Sequence, residues 1–354
     1  MRAVLLPFQF VVVVVVCLAV AGCVGPRYVA QAACGQIEIS FARRDLADVI
    51  ADEDVPPRVR ALLSHVPAIK RFGERHGLRP TASYDTYADL ERSAAVWVVS
   101  ASDPLRFKMK SWAFPVVGSV TYLGWFNRGD ARDFARELLD EGWDVDVRRA
   151  SAYSTLGWFN DPVLSTMIPE GDEAIGELAN VVLHESVHAT LYINGQTALN
   201  ESVANFIGDA LAEIYLDETV GAGSVQKAAY MEGQLEGERR RAVMTAAYEE
   251  LERLYASKKP DREKLAEKAR IVAALRAEIR ARRPINNATL AQFKQYNTGK
   301  EELSLLLKAC KGSFPKMLAS LRRLEGQTSA SQQERDLAKL FLPLVRAGCP
   351  GAPS

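Results

Sequence analysis

Two histidines four positions apart, His184 and His188, frame Glu185, and Glu201 follows after twelve intervening residues inside Leu199-Asn200-Glu201-Ser202-Val203-Ala204. On a helix, positions i and i+4 lie about 40° apart round the axis, so both imidazoles project from one face and can share a cation. Glu185 is then about 100° from His184, near the cation but badly placed to ligate it, which suits a general base. A catalytic zinc takes three protein ligands and keeps one position for water. Glu201 can be the third ligand if the chain turns back on itself. Asn194, Gly195, Gln196 and Thr197 break the helical pattern, and a short αα-hairpin there brings Glu201 level with the histidines. The chemistry expected is hydrolysis with one zinc per chain. The metal polarises a carbonyl and lowers the pKa of its water towards ~7, while Glu185 takes the proton and passes it to the leaving group.

Two plainer readings of the same residues exist. One is a helix with two partly buried histidines bonded to neighbours; the other is a purely structural zinc. Closed structural sites favour four ligands, mostly cysteine and histidine, and no cysteine lies near this segment.

At these residues the chain resembles the gluzincin metallopeptidases, since Asn200-Glu201-Ser202-Val203-Ala204 is similar to the Asn-Glu-x-x-Ala signature that carries their third ligand. The spacer departs from the longer one of thermolysin-like enzymes and of the large zinc aminopeptidases. A nearer resemblance is to the bacterial "putative aminopeptidase" family of lipoproteins, in which a short spacer occurs. Ala33-Cys34-Gly35-Gln36, Ser154-Thr155-Leu156-Gly157-Trp158-Phe159-Asn160-Asp161-Pro162 and Asn286-Asn287-Ala288 with Tyr296 are further parts of it, so it spans most of the mature chain. The resemblance implies a zincin-like catalytic core, a peptide substrate and aminopeptidase activity. It also implies that the strand before the zinc helix, where the second of two Leu-Gly-Trp-Phe-Asn copies (Leu123 to Asn127 and Leu156 to Asn160) lies, is the sheet edge that pairs with substrate backbone; the plainer reading of the copies is two aromatic core strands. Zinc peptidases commonly use a Tyr, His or Arg to donate to the developing oxyanion; Tyr296 and Tyr153 are both candidates, and nothing in the sequence decides between them. Asn205, where thermolysin-like enzymes carry Asp, is placed to orient His184.

Arg2 precedes an apolar stretch, Phe10 to Ala21, too short to span a bilayer, and Val20-Ala21-Gly22-Cys23 fits a lipoprotein signal-peptidase box. Cys23 is the expected lipidated first residue, anchoring the chain to a membrane. Val24 after it resembles lipoproteins of the outer membrane, which places the chain on the periplasmic face of the bacterial envelope. Beyond the signal segment and Cys23 the cysteines are Cys34, Cys310 and Cys349, of which the last two can pair in an oxidising periplasm. With 354 residues, 48% hydrophobic and 25% charged, the chain can bury a core, and a formal net charge of +0 disfavours nucleic acid as a partner.

The expected fold is α+β and predominantly helical. Residues 1–22 are the signal peptide, 23–165 the N-terminal α+β part with a small mixed sheet, 166–222 the zinc-binding helical hairpin, 223–283 a charged antiparallel helical hairpin, and 284–354 a C-terminal helical region. Arg44 to Leu63, broken at Pro56-Pro57, Thr86 to Ser93 and Asp130 to Glu141 read as helical. Ala94 to Val99, Phe114 to Val120 and Asp144 to Val147 read as strands. In the charged hairpin, Met244, Tyr248, Leu251 and Tyr255 repeat at helical spacing, as do Leu265, Val272, Leu275 and Ile279, with a turn at Pro260. Its outer surface is either a solvated face or a place for a protein partner. The competing function is a catalytically silent lipoprotein that keeps the zinc fold for binding or scaffolding in the envelope.

Overall fold

The computed structural model describes residues 25–114, 118–153, 155, 160–296, 299–326, 334 and 336–349. Its centre is a pair of helices, α5 (Ala174–Thr190) and α6 (Thr197–Thr219), packed along each other and flanked by α3 (Pro57–Arg75) on one side and α7 (Val225–Ala256) on the other. Leu178, Val182 and Leu183 of α5 and Val203, Ile207 and Leu211 of α6 are buried in the seam, so both helices are apolar on more than one face, as helices enclosed on several sides must be.

Three small sheets lie N-terminal to this pair. β1 (Arg43–Asp45) runs antiparallel to β2 (Thr86–Ala88), which pairs in parallel with β8 (Val163–Leu164). β3 (Val96–Ser102) is the middle strand of an antiparallel sheet between β6 (Leu123–Trp125) and β7 (Asp144–Ala150), in register at Trp97↔Trp125 and Val99↔Val147. β4 (Trp112–Phe114) and β5 (Gly118–Val120) form a two-stranded ribbon. Helix α4 (Arg128–Asp140) covers β3 and β7 with Ala131, Ala135 and Leu138, a second core. The fold is thus mixed α+β with small sheets, as expected.

Local readings fail in three places. The stretch from Arg44 is not one broken helix but β1, a short α2 (Leu46–Ala51) and α3, which starts at Pro57 because a first-turn proline loses no intrahelical bond. Thr86–Ala88 is strand rather than helix: pairing with β1 and β8, remote in sequence, outweighs local propensity. The Phe114 to Val120 run is divided: Phe114 ends β4 and Gly118 to Val120 form β5, paired antiparallel in register Phe114↔Gly118, and residues 115–117 lie outside the described residues. The first Leu-Gly-Trp-Phe-Asn copy supplies β6 and the cap of α4, where the Asn127 side chain accepts from the Gly129 amide at 2.6 Å. Phe126 of this copy lies against α1 (Pro26–Phe41) at Gly35, where a Cβ would fall 2.0 Å from the ring. Positions 156–159 of the second copy, and the signal segment with Cys23, lie outside the described residues.

The charged hairpin forms from α7 and α8 (Asp261–Glu278), with Met244, Leu251 and Leu275 buried; Leu265, expected on the apolar stripe, is exposed. Its apolar face is covered within the chain, by Phe107 stacked on Tyr248 at 3.9 Å between ring centroids and by Ile285 and Leu290. Asn286-Asn287-Ala288, at the start of α9 (Asn287–Tyr296), clamps this hairpin to the sheet. The Asn287 side chain donates to the Asp103 carbonyl at 2.9 Å and accepts from the Tyr255 hydroxyl at 2.7 Å, its amide donates to Asp144, and Lys268 pairs with the same Asp144. Helices α10 (Lys300–Ala309), α11 (Phe314–Leu321) and α12 (Ala338–Ala347) complete the chain. A Cys310–Cys349 disulfide ties the end of α10 to the segment just beyond α12, and Cys34 is free and exposed. No helix among the described residues is long and apolar enough to cross a membrane.

Candidate active site

The turn between α5 and α6 is set by Asn200. Its side chain donates to the Ile193 carbonyl and accepts from the Ile193 amide, both at 2.9 Å, while Gly195 takes the left-handed conformation at φ 74°. This buried staple returns the chain within six residues and fixes the height of Glu201, the next residue, against α5. The asparagine of the Asn-Glu pair therefore has a structural task distinct from that of the glutamate.

His184, His188 and Glu201 meet as expected. The two Nε2 atoms stand 3.2 Å apart, and Glu201 Oε2 lies 3.6 Å from His184 Nε2 and 3.7 Å from His188 Nε2. Zinc bonds of about 2.0–2.2 Å in a tetrahedron give ligand–ligand edges of roughly 3.3–3.6 Å, so these separations fit one such ion. Two nitrogen donors and a carboxylate oxygen are also the donor set it takes. The side chains retain only 16%, 6% and 11% of their exposure. Glu185 Oε2 is buried without a hydrogen-bond partner among the described residues, a costly state unless a further group enters the site; His188 Nδ1, on the ring edge away from the triad, is likewise unpartnered among them.

The electrostatics favour positive charge there. Burial lowers the pKa of His184, but the Glu201 contact and the charges of Glu185, Glu201 and Asp209 reverse this and leave it raised. Burial in turn raises Glu201, yet the two imidazoles hold it well below the ordinary carboxylate range. Close helix approach makes the arrangement possible: a Cβ on Gly208 would sit 3.2 Å from His184 Cβ and 3.3 Å from its Cα and N.

Four residues near the triad were given no role from the sequence, although Asp161 belongs to one of the stretches that carry the resemblance. Asp161 is buried; burial above all, with the charge of Glu185 adding to it, raises its carboxyl to about 6, although two Thr155 hydrogen bonds and Arg43 pull down. Tyr84, at a φ of 68°, donates its amide to the Asp161 carbonyl, and burial followed by the charges of Glu185 and Asp161 keeps its phenol protonated. Tyr192 is raised by burial and by Glu201, its ring 6.3 Å from that of His188. Asp209 accepts from Asn180 at 2.7 Å, one turn along α5 from His184. Distance in sequence hides Tyr84 and Asp161, whereas Asp209 is legible in principle, two turns beyond Glu201 on the same helix.

The other expected residues are placed as follows. Asn205 lies one turn beyond Glu201 on α6, half-buried, and lines a cavity with Asp209. Tyr153 packs edge-on against Phe126 at 5.1 Å; burial foremost, then Tyr28 and Asp161, raise its pKa. Tyr296 ends α9, and its side chain is outside the described residues.

A family model described as "Putative aminopeptidase" matches residues 27–337, and the chain belongs to that family. No curated protein and no solved structure matches it.

Proposed function

We propose that this member of the family is a zinc-dependent peptidase that removes residues from the amino termini of peptides, with His184, His188 and Glu201 as metal ligands and Glu185 as general base. The observation that carries the reading is the meeting of three donor atoms at tetrahedral spacing, with a buried Glu185 carboxylate oxygen that has no hydrogen-bond partner among the described residues. Family membership supports the peptidase class and the amino-terminal preference. Zinc, when bound there, supplies Lewis acidity towards a carbonyl oxygen and towards water.

The chain's own residues do the rest. Glu185 shares a helix with both histidines and is one position from His184, so its carboxylate reaches the same space without competing as a ligand. It accepts a proton from the attacking water and returns it to the amine that leaves. Tyr84 and Tyr192, coupled to Glu185 and Glu201 and both kept protonated, are the phenols available to donate to the oxyanion. Asn200 fixes the ligand helix, and Gly208 lets it approach. The same reading takes Cys23 as a lipid anchor and the periplasmic face of the outer membrane as the workplace, on the strength of Val20-Ala21-Gly22-Cys23.

The test is Glu185→Gln in purified, zinc-loaded protein against a mixture of free and N-acetylated peptides. Turnover should fall at least about 10²–10⁴-fold with zinc content and melting temperature unchanged, and wild type should spare the N-acetylated peptides. Near-normal hydrolysis by Glu185→Gln would rule out the general base, and zinc retained by His184→Ala with His188→Ala would rule out the ligands.

A further inference from the structure

On the side of α5 and α6 that faces α7 and α10 lies a cavity of about 350 Å³, within the range of small-molecule sites. Its lining sorts by charge. Glu177 and Asp209 stand on the α5–α6 side, and Arg241 and Lys300 come from α7 and α10. Both carboxyls are raised first of all by burial, and the charge of Asp209 raises Glu177 further. Across the cavity, Arg241 and Lys300 share one exposed acid, Glu238, at 3.6 Å and 2.7 Å, and Arg241 Nη2 is buried with no hydrogen-bond partner among the described residues. The cavity thus has an acidic end and a basic end, and at the basic end one buried Arg241 donor remains for a ligand.

Two glycines of α7 keep this space open. Gly233 and Gly237 are four positions apart and share the cavity face. Glycine inside a helix costs about 1 kcal/mol relative to alanine, so it needs a reason. Packing supplies none: a Cβ on Gly233 would meet nothing within 4 Å, and one on Gly237 only Arg241 Nη1, at an ordinary 3.6 Å. What the missing side chains leave is room.

We propose that this cavity is a second binding site, separate from the metal triad, for a zwitterion of amino-acid size, its ammonium held by Glu177 and Asp209 and its carboxylate by Arg241 and Lys300. Phe206 offers the ligand's side chain an apolar wall. Free amino acids are the products the proposed activity releases, but binding here does not depend on that activity.

Calorimetry on the full purified chain, with and without zinc, tests the site using L-leucine, L-phenylalanine, L-lysine and L-glutamate beside their N-acetyl and amide forms. At least one free amino acid should bind saturably, its two blocked forms at least tenfold more weakly. Gly233→Leu, which fills the cavity, and Arg241→Gln should each weaken binding at least tenfold, while His184→Ala with His188→Ala keeps it. No binding by any of the four, equal binding of a blocked form, or undiminished binding by a folded Gly233→Leu or Arg241→Gln protein would overturn the site. Loss in the histidine variant would move the ligand to the triad and overturn it equally. Glu177→Gln is the substitute should Gly233→Leu not fold. Peptidase failure with amino-acid binding intact would count against the metal reading alone.

Discussion

Gly208→Ala separates the demands of the metal site from those of the fold. The new methyl would lie 3.2 Å from His184 Cβ and 3.3 Å from His184 Cα and N, against about 3.5–4.0 Å for relaxed carbon contacts. Because two of those three atoms are backbone, no rotamer change relieves the contact, and α5 and α6 must part by a few tenths of an ångström. Overpacking of this kind costs about 1–3 kcal/mol, offset by about 1 kcal/mol from replacing glycine in a helix. The net loss of stability is therefore no more than about 2 kcal/mol, or a few degrees in Tm. The ligand set is far less tolerant: metal–ligand distances hold within about 0.2 Å, and Glu201 rides on the helix that moves. Zinc affinity should fall by about 10–100-fold, the scale on which supporting groups act. Chelator competition measures the affinity and thermal melts of metal-free protein the stability. Gly233→Ala is the control, a helical glycine with open space, expected to gain up to about 1 kcal/mol and to leave zinc binding untouched. If Gly208→Ala binds zinc within threefold of the parent, the link from helix spacing to ligand geometry is refuted.

Three further outcomes follow from particular contacts. Asp161 titrates near 6 in the folded chain, above its ordinary value of 3.8, so its protonated form stabilises the fold; that contribution is complete below about pH 4 and lost as pH rises through about 6. Asp161→Asn should therefore gain on wild type between pH 4 and 7, by at most about 3 kcal/mol less its lost Thr155 bonds, and a pH-independent difference in denaturation would contradict this. The Cys310–Cys349 bridge spans a separation of 39 residues, worth about 4 kcal/mol by chain entropy, so Cys349→Ser should lower the urea midpoint markedly; an unmoved midpoint would show the bridge contributes nothing. Asn287→Ala orphans the Asp103 carbonyl and the Tyr255 hydroxyl, and should cost about 2–4 kcal/mol in melts while zinc affinity stays constant; a parallel loss of zinc would mean the clamp also shapes the triad.

The sequence carried the triad because a helix turns spacing into direction: His184 and His188 needed only helicity, and Glu201 only a turn, which Asn200 closes by bonding a residue seven positions back. Nothing comparable gives Tyr84 or Asp161 a role; they come under the charge of Glu185 through strand pairing and a backbone hydrogen bond from the Tyr84 amide to the Asp161 carbonyl, between residues far apart in the chain. The short strands were misread for the same reason, since Thr86–Ala88 is a strand only in the company of β1 and β8. Glycines mark the limit most clearly. Gly208 and Gly233 both sit inside helices, yet a Cβ on the first would press on the His184 backbone and one on the second would meet nothing. The same residue type thus permits close approach of a ligand-bearing helix in one case and preserves an opening in the other. Local sequence can flag both as departures from helix propensity, but which one they are depends on the neighbouring helix, and that is decided by packing across the whole chain.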